Sequence, residues 1–343
     1  MTTLFVYAPA LEHTYPRHPE NSQRPQAIYQ LLQHEKLLPS LLILSPSSIS
    51  ERQLTDVHDP YLIDYVHEAC LRGGGRLDAD TYATAESYEL ARLAAGTACK
   101  GVDHIMNGIA DNGFVVVRPP GHHAEYRRVG GFCLFNNVAA AARHAQKAHG
   151  LKRVMIIDFD VHHGNGTQDI FYDEDSVLFV SLHQYGDYFY PGTGGILEIG
   201  KGSGRGYTLN VPLPPFVGDK GYKRIFEEVI FPKAREFQPE LLLISAGYDA
   251  HWADPLASAA LSLRGYGEIA QSLVALGDEL CNGRVLFVLE GGYLLEALSY
   301  GVLNSIFALL KRDEILDSLG SFDQPEADIT DLLDTLHKIH LIK

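Results

Sequence analysis

The sequence predicts an α/β fold: a mostly parallel β-sheet flanked by helices in three layers, as one large domain. Three observations carry that expectation. Apolar runs of strand length recur at 3–7, 114–117, 153–159, 177–182, 207–211, 241–246 and 285–289, each flanked by turn residues. Helix-length segments alternate with them at 25–37, 85–106, 136–149, 220–237, 264–280 and 294–310. The strand runs are continuously apolar, as in a parallel sheet covered on both faces. No low-complexity linker and no repeat divides the chain, so residues 1–343 are read as a single domain. The segment from Ile329 to Ile342 carries Ile329, Leu332, Leu333, Leu336 and Ile339 at helical spacing. It is expected to form a C-terminal helix packed on the body.

Composition narrows the function. Hydrophobic residues make up 46% and charged residues 21%, which argues against a disordered chain. The net charge of −15 argues against a basic face that grips nucleic-acid phosphates. Cys70, Cys99, Cys133 and Cys281 form no C-x-x-C, so a reducing compartment is expected and a disulfide framework or zinc ribbon is not. The N-terminus lacks a basic start followed by an apolar run, and the longest apolar stretches fall far short of the ~20 residues that span a bilayer. A cytoplasmic protein with no membrane partner is expected.

Reactive side chains stand where four strand-like runs end. FVVV leads to His122 and His123, VMIID to Asp158, Asp160, His162, His163 and Asn165, LLLISA to Asp249, and VLFVL to Tyr293. Ligands of open parallel sheets bind outside the carboxyl ends of the strands, so four such ends imply one site. A strand has a period of two, so Asp158, Asp160 and His162 are expected to point to one side. Buried carboxylates on one side repel each other and call for a cation. A metal held by Asp160, His162 and Asp249 meets that need and keeps an open coordination position, as catalytic zinc requires. Asp158 is left for a supporting or alkali-ion role. His122 and His123 suit proton handling near neutral pH. Tyr293 supplies a phenolic donor for a developing oxyanion. Together they suggest metal-assisted hydrolysis of an acyl group. His183 is read as structural, and His163 as a packing residue or a support behind the metal ligands.

Six separated blocks resemble the histone deacetylase superfamily, within the arginase–deacetylase fold. They are RPPGHHA (118–124), GGFCLFNN (130–137), DFDVHHGNGTQ (158–168), SLHQYGDYFYPGTG (181–194), SAGYDAHWADPLA (245–257) and LEGGY (289–293). Asn165 in HGNGTQ resembles the class II and bacterial amidohydrolase branch. The resemblance implies one zinc ion per chain on Asp160, His162 and Asp249. It implies His122 and His123 as tandem histidines, with His122 leaning on Asp158 and His123 on Asn165, and Tyr293 polarising an acetyl carbonyl. It further implies a structural potassium ion near Asp158, Asp160 and His162 with oxygens of Ser181 and Leu182. Gly131, Phe132, Tyr190 and Leu256 match an acyl-lysine tunnel, and Arg24 matches an arginine beside an acetate passage. The implied substrate is an acetylated lysine of a peptide or protein, or a similar acylated amine. At Leu256 polyamine-specific relatives can carry an acid, and Leu removes that device; Glu12, Glu20 or Asp78 could still charge the rim. The alternatives are an acetylpolyamine or other small-amide amidohydrolase, a two-manganese ureohydrolase drawing on His251 and Asp254, and an inactive acyl-lysine reader.

Overall fold

The structure is a computed structural model describing residues 1–342. In chain order the strands are β1 (Thr3–Ala8), β2 (Leu42–Leu44), β3 (Gly74–Arg76), β4 (Tyr82–Thr84), β5 (Asn112–Val117), β6 (Val154–Asp158), β7 (Val177–Gln184), β8 (Thr208–Leu213), β9 (Leu241–Ala246) and β10 (Val285–Leu289). β3 and β4 form a small antiparallel hairpin. The other eight make one parallel sheet in the order β2-β1-β5-β10-β9-β6-β7-β8.

The sheet separates two cores, and strand alternation sorts side chains between them. Phe114, Val116, Met155 and Ile157 enter one core; Val115, Val117, Val154 and Ile156 enter the other. This double burial is why the central strands read as unbroken apolar runs. The edge strand β2 is short and partly exposed, so it lacks that signal. Helices Glu51–Leu54, Pro60–Leu71 and Asn165–Phe171 also escaped the sequence reading.

Segments expected at 25–37, 85–106, 136–149, 264–280 and 294–310 form helices Gln23–His34, Ser87–Met106, Asn137–His149, Leu263–Cys281 and Leu295–Leu309. The segment expected as one helix at 220–237 is instead Asp219–Ile225, a π-helical turn Phe226–Ile230, and Phe231–Phe237. Pro232 explains the interruption. It has no N–H for the carbonyl of Glu228 four residues back, and its ring crowds that carbonyl. The Glu228 carbonyl accepts instead from His337 Nε2 at 3.0 Å. That bond ties down the C-terminal helix, which spans Thr330–His340 and not the expected 329–342. It buries Leu333 and Leu336 in the main core, so it packs on the body. No helix among the described residues is long and apolar enough to cross a membrane.

Candidate active site

The four strands whose ends carry reactive residues are immediate neighbours: β5, β10, β9 and β6 stand side by side at the centre of the sheet. Their carboxyl ends open into one crevice, where such sheets bind ligands.

The chain around Asp160 does not follow the expected strand alternation. β6 ends at Asp158, and turns carry the chain onward. The backbone N–H of Asp160 donates to Asp158 Oδ1 at 3.1 Å, and that of His162 donates to Asp160 Oδ1 at 2.9 Å. Two successive side-chain-capped turns, rather than a pleat, aim Asp160 and His162 at the crevice. Phe159 and Val161 between them anchor the turns in the core.

Asp160, His162 and Asp249 each bring one donor atom to within 4.8 Å of the others. His162 Nδ1 lies 3.1 Å from Asp249 Oδ2 and 3.3 Å from Asp160 Oδ1. The remaining carboxylate oxygens are held by backbone: Gly291 N–H donates to Asp160 Oδ2 at 2.8 Å and Val161 N–H to Asp249 Oδ1 at 2.8 Å. Glycines wall the pair closely. A Cβ on Gly247 would lie 2.1 Å from Asp160 Oδ2, and one on Gly291 2.3 Å from Asp249 Oδ2. A bulkier wall would push the carboxylates off their aim.

The electrostatics of this cluster demand positive charge. Burial pushes the carboxyl of Asp158 up to about 6 and that of Asp249 up to about 7, with the Asp160 charge adding to both. Burial acts on Asp160 too, but His122 and His162 outweigh it and hold its carboxyl well below the usual range. Burial alone would lower His162, yet Asp160 and Asp249 push it up to about 10. A divalent cation can do the work of that imidazolium proton. Two carboxylates and a neutral imidazole match its charge and leave coordination positions open, so these residues fit a metal.

The tandem histidines are fixed differently. His122 donates Nδ1–H to Asp158 Oδ2 at 3.0 Å. Burial lowers its pKa, but Asp158, Asp160 and Glu290 overcome that and push it up to about 10. His123 donates Nδ1–H to Asn165 Oδ1 at 2.7 Å. The amide orientation is determinate, because Asn165 Nδ2 donates to Glu125 Oε1 at 2.8 Å. His123 Nε2 therefore carries a lone pair. Burial, together with charge on His122 and His162, holds its pKa well below 6.5.

Glu290 was quoted within the LEGGY block but given no role. It is fully buried, and its Oε2 accepts from the backbone N–H groups of Gly121 at 2.7 Å and His122 at 3.1 Å. It thus fixes the loop that carries both histidines. Removing it in Glu290→Ala strands two buried donors at roughly 1–3 kcal/mol each. The expected outcome is a lower denaturant midpoint together with reduced kcat, both largely restored in Glu290→Gln, which keeps an acceptor.

Tyr293 is held by its backbone, whose N–H donates to Asp254 Oδ2 at 2.7 Å. The ring meets Phe132 edge-on with centroids 5.8 Å apart, and the Arg24 guanidinium lies 5.1 Å from its centroid. Its hydroxyl has no protein partner among the described residues. Burial raises the phenol well above 10, so it remains an O–H donor.

The remaining expected residues divide. Gly131, Phe132 and Tyr190 stand beside the cluster: Tyr190 is edge-on to His123 at 5.0 Å, Phe132 packs on Tyr293, and Gly131 lies against the His123 ring. Phe189, absent from the sequence reading, stacks flat on His162 at 5.1 Å. Leu256 is 37% exposed, and Asp254 Oδ1 accepts its N–H. Arg24 is wholly buried and clamps the Tyr293 loop, donating to the carbonyls of Gly292 and Glu290 and to Glu20. Glu20 does not lie on the rim: it is fully buried and paired with Arg24 and Arg118. Ser181 pairs in register with Asp158 beside Leu182, and the Ser181 hydroxyl lies 2.9 Å from His183 Nδ1. His183 also reaches the carbonyl of Gly194, and His163 lies against Thr193 and Gln168, in keeping with packing roles. Of the two residues a second metal would need, Asp254 is taken up holding the Tyr293 loop, while His251 Nδ1 accepts from Ala253 N–H and its buried Nε2 has no partner among the described residues.

Gly131 offers a direct test of this packing. It has φ +52°, and a Cβ there would lie 2.2 Å from His123 Cδ2. Gly131→Ala should displace the imidazole and lower kcat/KM about 10²-fold, the cost of an ångström of misplacement. Circular dichroism should show the fold retained.

The parallel sheet and its strand-end cluster of acids and imidazoles define an α/β protein of the arginase–deacetylase fold. The chain belongs to the histone deacetylase family: the histone deacetylase domain matches residues 18–309. It is 39% identical to histone deacetylase 14, chloroplastic, of Arabidopsis thaliana, covering 99% of this chain and 85% of that one. It is 38% identical to polyamine deacetylase HDAC10 of Homo sapiens, over 85% of this chain and 44% of that one. Its fold superposes on the crystal structure of the HDA15 HD domain with a TM-score of 0.91 at 39% identity, over 99% of this chain and 96% of the other. Proteins of this family are generally metal-dependent deacetylases and amidohydrolases.

Proposed function

We propose that residues 1–343 act as a single zinc-dependent deacetylase domain that hydrolyses the amide of acetylated lysine side chains, or of a similar acylated amine, to amine and acetate. The observation that carries this reading is the convergence of Asp160, His162 and Asp249 within 4.8 Å, beside an imidazole with a free lone pair and an unpaired phenol. Those three residues would hold the zinc ion, which when bound polarises the acyl carbonyl and makes water more acidic. His123 Nε2 takes the proton of the attacking water. The water oxygen bonds to the acyl carbon while the Tyr293 O–H donates to the acyl oxygen. His122, charged and held by Asp158, stabilises the negative charge of the adduct. The C–N bond then breaks, His123 returns its proton to the departing amine, and acetate remains.

Gly131, Phe132 and Tyr190 would clasp the methylene chain. An uncharged Leu256 at the mouth favours acyl-lysine over a second ammonium group. The likeness to a polyamine deacetylase keeps acetylpolyamine as the second reading. Asp158, Asp160 and His162, with oxygens of Ser181 and Leu182, would hold a structural potassium ion, and Arg24 would border the acetate passage by steadying the Tyr293 loop. Four buried free cysteines suit a reducing, cytoplasmic setting. The test is a side-by-side assay of an acetyl-lysine peptide and acetylputrescine on protein of measured zinc content. Higher kcat/KM on the peptide is expected. Faster turnover of acetylputrescine would overturn the substrate assignment, and full activity in metal-stripped protein would overturn the chemistry.

A further inference from the structure

Among the described residues, two groups of His, Cys, Asp or Glu bring three donor atoms within 4.8 Å of one another. One is the active-site cluster. The other is Asp103, His144 and His149, which none of the family motifs includes. We propose that this second group is a separate site for a divalent transition metal, joining helix Ser87–Met106 to helix Asn137–His149.

The geometry converges from two elements. Asp103 comes from the first helix, and His144 and His149 from the second. The Nε2 atoms of His144 and His149 lie 2.6 and 2.7 Å from the same oxygen, Asp103 Oδ1. A carboxylate oxygen only accepts, so both imidazoles now present Nε2–H. No Lys or Arg among the described residues pairs with Asp103; its charge is met by these two rings alone. The lysines of these two helices are spent elsewhere, Lys100 on the carbonyl of Ser45 and Lys147 on Asp56. The active-site cluster shows the same pattern of imidazole nitrogen against carboxylate oxygen, at 3.1 and 3.3 Å.

The ligand chemistry selects the ion. Two imidazoles and one carboxylate suit zinc and its neighbours, whereas calcium and magnesium prefer all-oxygen shells. An ion about 2.0–2.2 Å from each donor requires the N···O contacts to open by roughly half an ångström. The partly exposed Asp103, at 41%, has room for that. Both rings would then carry their N–H on Nδ1 and turn the Nε2 lone pair to the ion. A cavity of about 340 Å³, walled by Asp103, His144, Cys99 and His104, adjoins the cluster and can admit the waters that complete coordination.

The site is remote from catalysis. Helix Asn137–His149 begins beside the tandem-histidine loop, where Asn137 Nδ2 donates to the carbonyl of Pro119. It ends at His149, roughly 18 Å away at 1.5 Å per residue. A metal there would clamp two helices on one face of the sheet and stabilise the folded chain by mass action.

The experiment titrates the full-length enzyme with Zn²⁺, reading bound zinc per chain by elemental analysis and the Tm at each step. The wild type is expected to take up two ions. Asp249→Ala, lacking the active-site ligand, and His149→Ala should each take up one. His144→Gln, which keeps a hydrogen-bond donor to Asp103 if His149→Ala fails to fold, should also take up one and lose the zinc-dependent rise in Tm. His149→Ala and His144→Gln should keep wild-type kcat. A wild type that binds one ion, with Asp249→Ala binding none, would overturn this site and leave the active-site assignment standing. A second ion retained in both histidine variants would also overturn it.

Discussion

Tyr293→Phe is expected to lower kcat about 10²-fold or more, close to 2.7 kcal/mol of lost transition-state stabilisation, with KM little changed. The ring is held from several sides: Asp254 on its backbone N–H, Phe132 at its edge and Arg24 over its face. Phe keeps those contacts and removes only the hydroxyl. Burial holds the phenol protonated far above neutral pH, so the lost group is a donor at every working pH. Steady-state kinetics on an acetyl-lysine peptide, with Tm as the control for folding, measure the effect. Wild-type kcat in the variant would remove Tyr293 from the mechanism.

His123→Ala is expected to cost at least as much, about 10²–10⁴-fold in kcat, the usual contribution of a positioned general base. A pH profile separates a base from a packing residue. The His123 pKa is depressed below 6.5, so its neutral form is present across the neutral range and is lost only as pH falls through that lowered value. The acid limb of kcat/KM should therefore lie below pH 6.5 in the wild type. Asn165→Asp replaces an amide oxygen that accepts Nδ1–H with a carboxylate, which favours the imidazolium and raises the His123 pKa. That variant should move the acid limb upward while retaining activity on its alkaline side. An unmoved limb would place the titration on another group.

Several features of the site were legible because they are local. GHH, DFDVH, GYD and GGY each place reactive residues just past an apolar run, and a buried strand end is costly for acids without a reason to be there. The partners of the tandem histidines, Asp158 and Asn165, came from family resemblance, and the structure places both within hydrogen-bond reach. Other features were hidden. Glu20 reads as one more acid in a polar loop, yet its carboxylate lies between Arg24, four residues on, and Arg118 from a distant segment. Phe189 and Glu290 matter for what they touch: Phe189 stacks on His162 from another loop, and Glu290 accepts from the N–H groups of Gly121 and His122 across 169 and 168 residues, and no local pattern reports either contact. The strand rule failed past Asp158 because side-chain hydrogen bonds to the backbone two residues on replaced the pleat.

By itself the sequence determined the layered α/β class, the run of parallel strands and which polar residues stand at the strand ends, since continuous apolar strands and strand-end polar groups are properties of short segments. Only the tertiary structure decided that β5, β10, β9 and β6 are neighbours, that Glu20 is buried, and that Asp103 meets His144 and His149. Strand order and helix pairing are settled by how whole apolar faces pack together, and that free energy belongs to the assembled cores rather than to any one segment.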